Sequence, residues 1–404
     1  MTILIGHPAG NPNSYNAAAA YFEAGLLECF CVPWMPSART LRVLSSIQTL
    51  RPYALRFGRR QFRLLSNAPK VQGRVGEAFR LALRTLDMTV DGAFDANNRW
   101  LMRTMARECR RSTVTAVHAY EDCSLWQFTE AKRLGKACVY DMPTCYYQAW
   151  EKTKVALRQK YSDWLSPDDR PTDAEGIRFE RKRQEMAHAD LTLVASGYVE
   201  QTIREYYPYK NIVRAPYGVD GEYWTPASTG KAPGQLRFIY AGQVSLRKGV
   251  PLLIEAWSKA QLRDADLVLV GSWALADDKR GALPPGVTWL PPCSSQELRD
   301  QYRNSDVFVF PSFSDGFGLV VLEAMACGLP IIASQASVGP EVITPGCGFV
   351  LPAGDVDQLV ELLRWFGQHR GEIQFMGKKA RLQAARWTWS NYRTLITRSV
   401  TKVL

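Results

Sequence analysis

The residues best suited to chemistry fall in one short stretch, PSFSDGFGLVVLEAMACGLPIIAS, from Pro311 to Ser334. Asp315 and Glu323 lie eight residues apart within it, and Gly316-Phe317-Gly318 stands between them. The glycines let the chain turn sharply and let backbone come close to a ligand. One carboxylate sits in the turn and the other about two helical turns later, so both can address one ligand lying along the helix start. Free backbone N–H groups at such a start favour phosphate.

The flanking elements must hold that arrangement in place. The apolar run Val307-Phe308-Val309-Phe310 suits a buried strand ended by Pro311, and residues 319–327 suit a helix closed by Gly328 and Pro330. Strand-like runs at 236–241, 266–270, 287–290, 307–310 and 329–333 alternate with helical stretches through the second half. The first half opens on a strand at 2–5, a loop from Gly6 to Asn11 and a small-residue helix from Ala17. Further runs follow at 29–32, 114–118, 137–141 and 191–195. This alternation predicts an α/β protein with parallel sheets covered by helices on both faces. Prolines and a glycine at 206–219 mark a domain border, and the acidic stretch 166–176 reads as an exposed loop. Two such lobes place a ligand in the cleft between them, at the carboxyl ends of the strands.

The 311–334 stretch closely resembles the donor-site signature of retaining glycosyltransferases of family 4. Their usual pattern is E-x7-E, with EGFG before the helix and LEAMA-x-G-x-P-V-I along and after it; Asp315 replaces the first glutamate. Tyr217-Gly218-Val219-Asp220 resembles the turn that opens the family's C-terminal lobe. The segment YAGQVSLRKGV at 240–250 is similar to G-R-L-x-x-x-K-G, with Gln243 at the first basic position, Lys248 at the second and Arg247 beside it. Residues 386–392, read as the end of the final helix, resemble the W-x-x-Y segment that crosses back between lobes. The resemblance implies the GT-B fold: two Rossmann-like lobes with a deep interdomain cleft. Residues 1–210 would form the acceptor-binding lobe, 211–385 the nucleotide-sugar-binding lobe, and 386–404 a helix packing back on the first.

The resemblance also implies roles. Glu323 is expected to hold the ribose hydroxyls, and Asp315 to face the donor sugar. Gly316, Phe317, Gly318 and Leu319 would meet its hydroxyls or the β-phosphate. Lys248 and Arg247 are expected to stabilise charge developing on the leaving diphosphate, with Gly242 and Gln243 in the same loop. Gly10 would let backbone approach the pyrophosphate, and His118 and Asp141 would line the cleft near the donor sugar. The implied reaction is metal-independent, retaining transfer from a UDP- or GDP-sugar, with no cofactor, to a glycan, lipid-linked, polysaccharide or small-molecule acceptor. The leaving phosphate would itself take the acceptor's proton. No carboxylate pair suits hydrolase-style double displacement.

Composition sets the remaining bounds. With 404 residues, 46% apolar and 22% charged, the chain suits a globular protein of two or three domains. No run of 18 apolar residues occurs, no basic leader precedes the first strand, and the nine cysteines form no CxxC pair. A cytoplasmic setting is expected, with peripheral placement at the inner membrane face. The net charge is +11, and between Arg39 and Arg84 eleven Lys or Arg residues accompany one acid, Glu77. Such clustering reads either as the solvated face of two helices or as a site for an anionic partner, with an anionic membrane favoured over a polyanionic acceptor or nucleic acid. Two other readings use the same residues. One is a non-catalytic nucleotide-sugar-binding or scaffold protein of the same fold, suggested by Gln243, Asp315 and the absent histidine after the 137–141 strand. The other is a GT-B enzyme acting on nucleic acid, against which the helix signature argues.

Overall fold

A computed structural model describes residues 2–50, 54, 57, 58, 60–73, 90–166, 174–227 and 234–403. Two open, fully parallel sheets organise the chain. The first has seven strands: β1 (Thr2–Gly6), β2 (Leu27–Pro33), β3 (Lys70–Gly73), β4 (Val114–Tyr120), β5 (Ala137–Met142), β6 (Leu191–Val194) and β7 (Ile212–Arg214), in the order β3-β2-β1-β4-β5-β6-β7. The second has six: β8 (Leu236–Ala241), β9 (Ala265–Val270), β10 (Val287–Leu290), β11 (Val307–Phe310), β12 (Ile331–Ser334) and β13 (Gly348–Leu351), ordered β10-β9-β8-β11-β12-β13. Helices cover both faces, so the central strands are buried throughout, as in the four apolar residues of β11. The fold is the expected GT-B arrangement of two Rossmann-like lobes.

Each sheet reverses its order once, between β1 and β4 in the first lobe and between β8 and β11 in the second. At such a switch point the two neighbouring loops leave in opposite directions and open a crevice at the carboxyl edge. The loops after β1, β4 and β5 therefore face those after β8 and β11.

Three strands, β3, β7 and β13, were not expected from the sequence. All are three or four residues long and lie at sheet edges, where half-buried residues give no clear alternation. The last helix also differs. Residues 386–392 do not end it; Thr388 caps its start, accepting from the Asn391 N–H at 3.1 Å, and the helix runs Trp389–Thr401. It lies on the first lobe's opening helix Pro12–Glu23, where Arg393 meets Glu23 and Asn16, each at 3.0 Å. The chain crosses between lobes at Val219, whose N–H donates to the Trp387 carbonyl at 2.8 Å. A Cβ on Gly218 would stand 2.2 Å from the Thr388 carbonyl carbon, so only glycine fits this crossing.

All nine cysteines are free, and all except Cys293 are buried, where they pack as small apolar groups. No helix among the described residues is long and apolar enough to cross a membrane. In the basic segment, Arg51, Arg56, Arg59, Arg74, Arg80 and Arg84 lie outside the described residues. Of the others, Arg39 and Arg42 are exposed, Arg60 donates to the Trp34 carbonyl at 3.0 Å, and Lys70 is engaged by three backbone carbonyls of residues 65–68.

Candidate functional site

The turn after β11 is built by its own side chains. Asp315 accepts from the Phe317 N–H at 3.1 Å, closing an Asx turn, and its N–H donates to the Ala336 carbonyl at 2.9 Å. Gly318 follows at φ 84°, a left-handed conformation that turns the chain into the helix Leu319–Ala326. No side chain caps that helix, so its first N–H groups face outward from the carboxyl edge.

The loop after β8 meets this turn. Gly249, at φ 73°, begins the helix Val250–Ala260, and a Cβ there would lie 2.0 Å from the Pro311 oxygen. That contact packs the two loops together and delivers Lys248 to Asp315, with which it forms an ion pair. The two side chains are only 13% and 15% exposed, so water screens the pair little. The Lys248 ammonium lies 5.8 Å from the Phe310 ring centroid, and burial holds its pKa below the usual lysine range despite Asp315. Arg247 contributes its carbonyl to the same packing, accepting from the Phe313 N–H at 2.9 Å. Its guanidinium has no hydrogen-bond or ion-pair partner among the described residues. It exerts its charge on Cys145 and Tyr198 of the opposite lobe. Gly242, at φ 142°, is half-buried; Gln243 is exposed, and its carbonyl accepts from the Tyr240 hydroxyl at 2.7 Å.

Glu323 lies on the helix after the turn, half-buried, and its carboxylate has no hydrogen-bond partner among the described residues. Burial alone pushes its pKa up to about 7. A carboxylate partly withdrawn from water and without donors among the described residues is a place where ligand hydroxyls restore lost hydrogen bonds.

The first lobe closes over this surface. Gly316 abuts the loop after β5 so tightly that a Cβ would meet the Pro143 oxygen at 1.7 Å. Ser196 donates to the Gly316 carbonyl at 2.6 Å, Cys145 and Ser314 touch at 2.8 Å, and Glu341 accepts from the Gly197 N–H. Ser196, Pro143 and Glu341 were not singled out from the sequence; they sit up to 173 residues from the groups they meet, and no local pattern reports that. Gly316→Ala is expected to wedge this seam open. Misplacing reacting groups by about 1 Å can cost on the order of a hundredfold in turnover. Turnover and thermal unfolding of the variant, set against wild type, measure the effect.

His118 and Asp141 come together but are buried rather than spread along an open surface. His118 is 0% exposed, its Nδ1 2.8 Å from the Tyr21 hydroxyl and its Nε2 3.5 Å from Asp141. Burial raises the Asp141 pKa, and the hydroxyls of Tyr120, Tyr217 and Tyr392 stand in its field. Tyr217 also feels Asp315, so a carboxylate of each lobe acts on this side chain. Gly10 adopts φ 68° as expected of a left-handed turn. Its N–H and that of Ala9 donate to the His7 ring nitrogen Nδ1, at 2.9 and 3.1 Å. Burial holds the His7 pKa down to about 3, so this ring stays neutral and serves as the loop's internal acceptor. A histidine directly after the first strand was the available signal for it.

Residues 225–383 match the family described as glycosyl transferases group 1. Among curated relatives, the chain is 37% identical over 145 residues to a D-inositol 3-phosphate glycosyltransferase of Pseudarthrobacter chlorophenolicus, covering 31% of this chain and 34% of that one. It is 31% identical over 229 residues to a sulfoquinovosyl transferase of Arabidopsis thaliana, covering 52% and 44%. With an O-antigen chain mannosyltransferase of Escherichia coli it shares 25% over 283 residues, covering 65% and 74%. The first two of these matches thus span less than half of the relative's own length, 34% and 44%. Sucrose-phosphate synthase from Thermosynechococcus elongatus superposes with a TM-score of 0.69 at 17% identity, covering 100% and 98% of the two chains. Anabaena HepE, solved with UDP, superposes at 0.61 with 14% identity over 100% of both chains. These structural likenesses bear on the fold.

Proposed function

We propose that the protein is a retaining glycosyltransferase that moves a sugar from a nucleotide-diphosphate sugar to an acceptor in the interlobe cleft. The observation that carries the reading is the convergence, at one switch point, of the buried Lys248–Asp315 pair, the uncapped helix start after Gly318 and the unpartnered carboxylate of Glu323. The group 1 match over the lobe that holds them, and the relatives' names, support it. So does HepE, whose structures include complexes with UDP and UDP-glucose.

In this reading Glu323 accepts from the ribose hydroxyls. The N–H groups of Gly316, Gly318 and Leu319 meet the phosphates or sugar hydroxyls, joined by that of Phe317 once it leaves Asp315, and Asp315 addresses the donor sugar. Gly242 and Gln243 border the diphosphate. Gly10 approaches it from the other lobe once its N–H leaves His7. His118 and Asp141 position the cleft's floor through Tyr120 and Tyr217. As the bond from the anomeric carbon to the phosphate oxygen breaks, negative charge grows on the diphosphate. Lys248 and Arg247 stabilise it, the charge a metal ion supplies elsewhere. The acceptor oxygen attacks from the same face, and its proton passes to the departing phosphate, so configuration is kept. The protein works in the cytoplasm, with its basic segment against an anionic membrane face.

Calorimetry with UDP, GDP and their sugar conjugates, with and without EDTA, tests this directly. Micromolar binding of one base, unchanged by EDTA and followed by sugar transfer with retention, is the expected result. Binding without turnover on any acceptor would favour a non-catalytic nucleotide-sugar binder, and absence of binding would overturn both readings.

A further inference from the structure

Two open cavities beside the cleft share a wall. The first, about 790 Å³, lies at the carboxyl ends of β2 and β3 and is lined by polar groups, Ser37, Thr40 and Gln72, beside Trp34. The second, about 980 Å³, is a groove between the opening helix Pro12–Glu23 and the C-terminal helices, lined by Leu64, Leu382, Ala385 and Trp389. Phe62 and Arg63 line both, so that pair stands where the polar chamber and the groove adjoin.

The charges at this junction are unequal in what they have left to give. Lys70, in the polar chamber, is used up by backbone carbonyls, and Arg60 by the Trp34 carbonyl and the Phe57 ring. In the groove, Arg393 and Arg381 are held by Glu23 and by backbone carbonyls, Lys378 is exposed with no hydrogen-bond or ion-pair partner among the described residues, and Asp220 and Glu222 add two carboxylates. Arg63 is exposed, and it has no hydrogen-bond or ion-pair partner among the described residues. Apolar surface lies beside it: Leu382 is 73% exposed, and the helix Ala38–Ser46, capped by Ser37 on the chamber rim, carries exposed Val43. Among the described residues, two of the nine exposed large apolar side chains, Leu64 and Leu382, thus line this groove.

We infer that this paired chamber and groove bind an amphiphile with a phosphate head, a lipid phosphate. The Arg63 guanidinium takes the phosphate in a forked, charge-assisted contact. The alkyl chain lies along Leu64, Leu382 and Trp389, and groups beyond the phosphate enter the polar chamber. As a substrate class this rests on the proposed transfer reaction, because the chamber opens at the carboxyl edge that also carries the Gly10 loop. The binding itself does not depend on that reaction.

The test titrates the full-length protein with decyl phosphate below its micelle concentration, with decyl maltoside and with inorganic phosphate, following intrinsic tryptophan fluorescence and calorimetry. Saturable binding of decyl phosphate is expected, at least tenfold tighter than either of the others. Arg63→Gln and Leu382→Asp, both at exposed positions and checked for native circular dichroism, are each expected to weaken it tenfold or more. Equal binding of inorganic phosphate would reduce the site to a simple anion contact. Equal binding of the maltoside would reduce it to a detergent-binding apolar surface. Affinity unchanged in both variants would place the amphiphile elsewhere, and each of these outcomes overturns the inference. UDP and GDP binding is measured in the same samples and should be unaltered by either substitution. A wild-type protein that takes decyl phosphate and no nucleotide would sink the donor reading while leaving the lipid-phosphate site standing.

Discussion

Glu323→Gln is expected to weaken nucleotide binding by about 10- to 150-fold, the loss of about 1.5–3 kcal/mol for a charged hydrogen-bond acceptor made neutral. The same substitution should make the free protein more stable at pH 8. Burial raises the Glu323 pKa from 4.5 to about 7, so between those values the folded protein holds a proton that the unfolded chain has released. The folded state binding more protons, stability falls as pH rises through that window and levels off above about 7. A tenfold difference in proton affinity is worth about 1.4 kcal/mol, and with the side chain half-buried the gain on removing the charge should be on the order of 1–3 kcal/mol. Binding has the opposite slope. Ribose hydroxyls donate best to the ionised carboxylate, so wild-type affinity should tighten as pH rises from about 6 toward about 8, with a proton released on binding below about pH 7. In the glutamine variant both slopes flatten. Calorimetry in two buffers of different ionisation enthalpy, with thermal unfolding over the same pH range, measures all of this. Nucleotide affinity that does not vary with pH in the wild type would show that Glu323 does not touch the ribose.

The parts of this site that are local in sequence could be read from it. Asp315, the two glycines and Glu323 lie within one turn and one helix, and the residue types dictate the geometry: Gly318 takes a left-handed φ that other residues resist, and Asp315 closes the turn onto Phe317. The central strands were legible for a similar reason, since burial on both faces leaves unbroken apolar runs. Edge strands were not, because β3, β7 and β13 are half-buried and short. Contacts between lobes were illegible too. Nothing near Gly316 says that Pro143 will press against it, and nothing near His118 says that Tyr21 will take one ring nitrogen while Asp141 faces the other. Even the last helix was misplaced. Its start depends on Thr388 capping and on a crossing that forces glycine at 218, and neither is a feature of helical periodicity.

Lys248→Met should lower turnover by a factor on the order of 10²–10³, the range seen when one donor aimed at a developing oxyanion is removed. The ground-state diphosphate already carries charge that backbone N–H groups share, so nucleotide affinity should fall far less than turnover. A second consequence separates this role from a merely structural one. Lys248 is the ion-pair partner of Asp315, and removing one member of a largely buried pair leaves the other uncompensated, at a cost on the order of 3 kcal/mol. The variant should therefore be both slow and unstable, and instability alone could mimic a catalytic defect. Adding Asp315→Asn removes the stranded charge, so the double variant should regain most of the lost stability in denaturant unfolding. With Asp315→Asn alone as the reference, if Lys248 serves the leaving group the regained stability brings no turnover with it, and the double variant stays about as far below that single variant as Lys248→Met lies below wild type. Recovery of activity together with stability would show that the lysine only holds the turn. The pH profile supplies an independent check. Burial holds the Lys248 pKa below that of a free lysine, so wild-type turnover should decline on the alkaline side earlier than a solvated lysine would give. That decline should vanish from the residual activity of the methionine variant, because no proton remains at that position to lose.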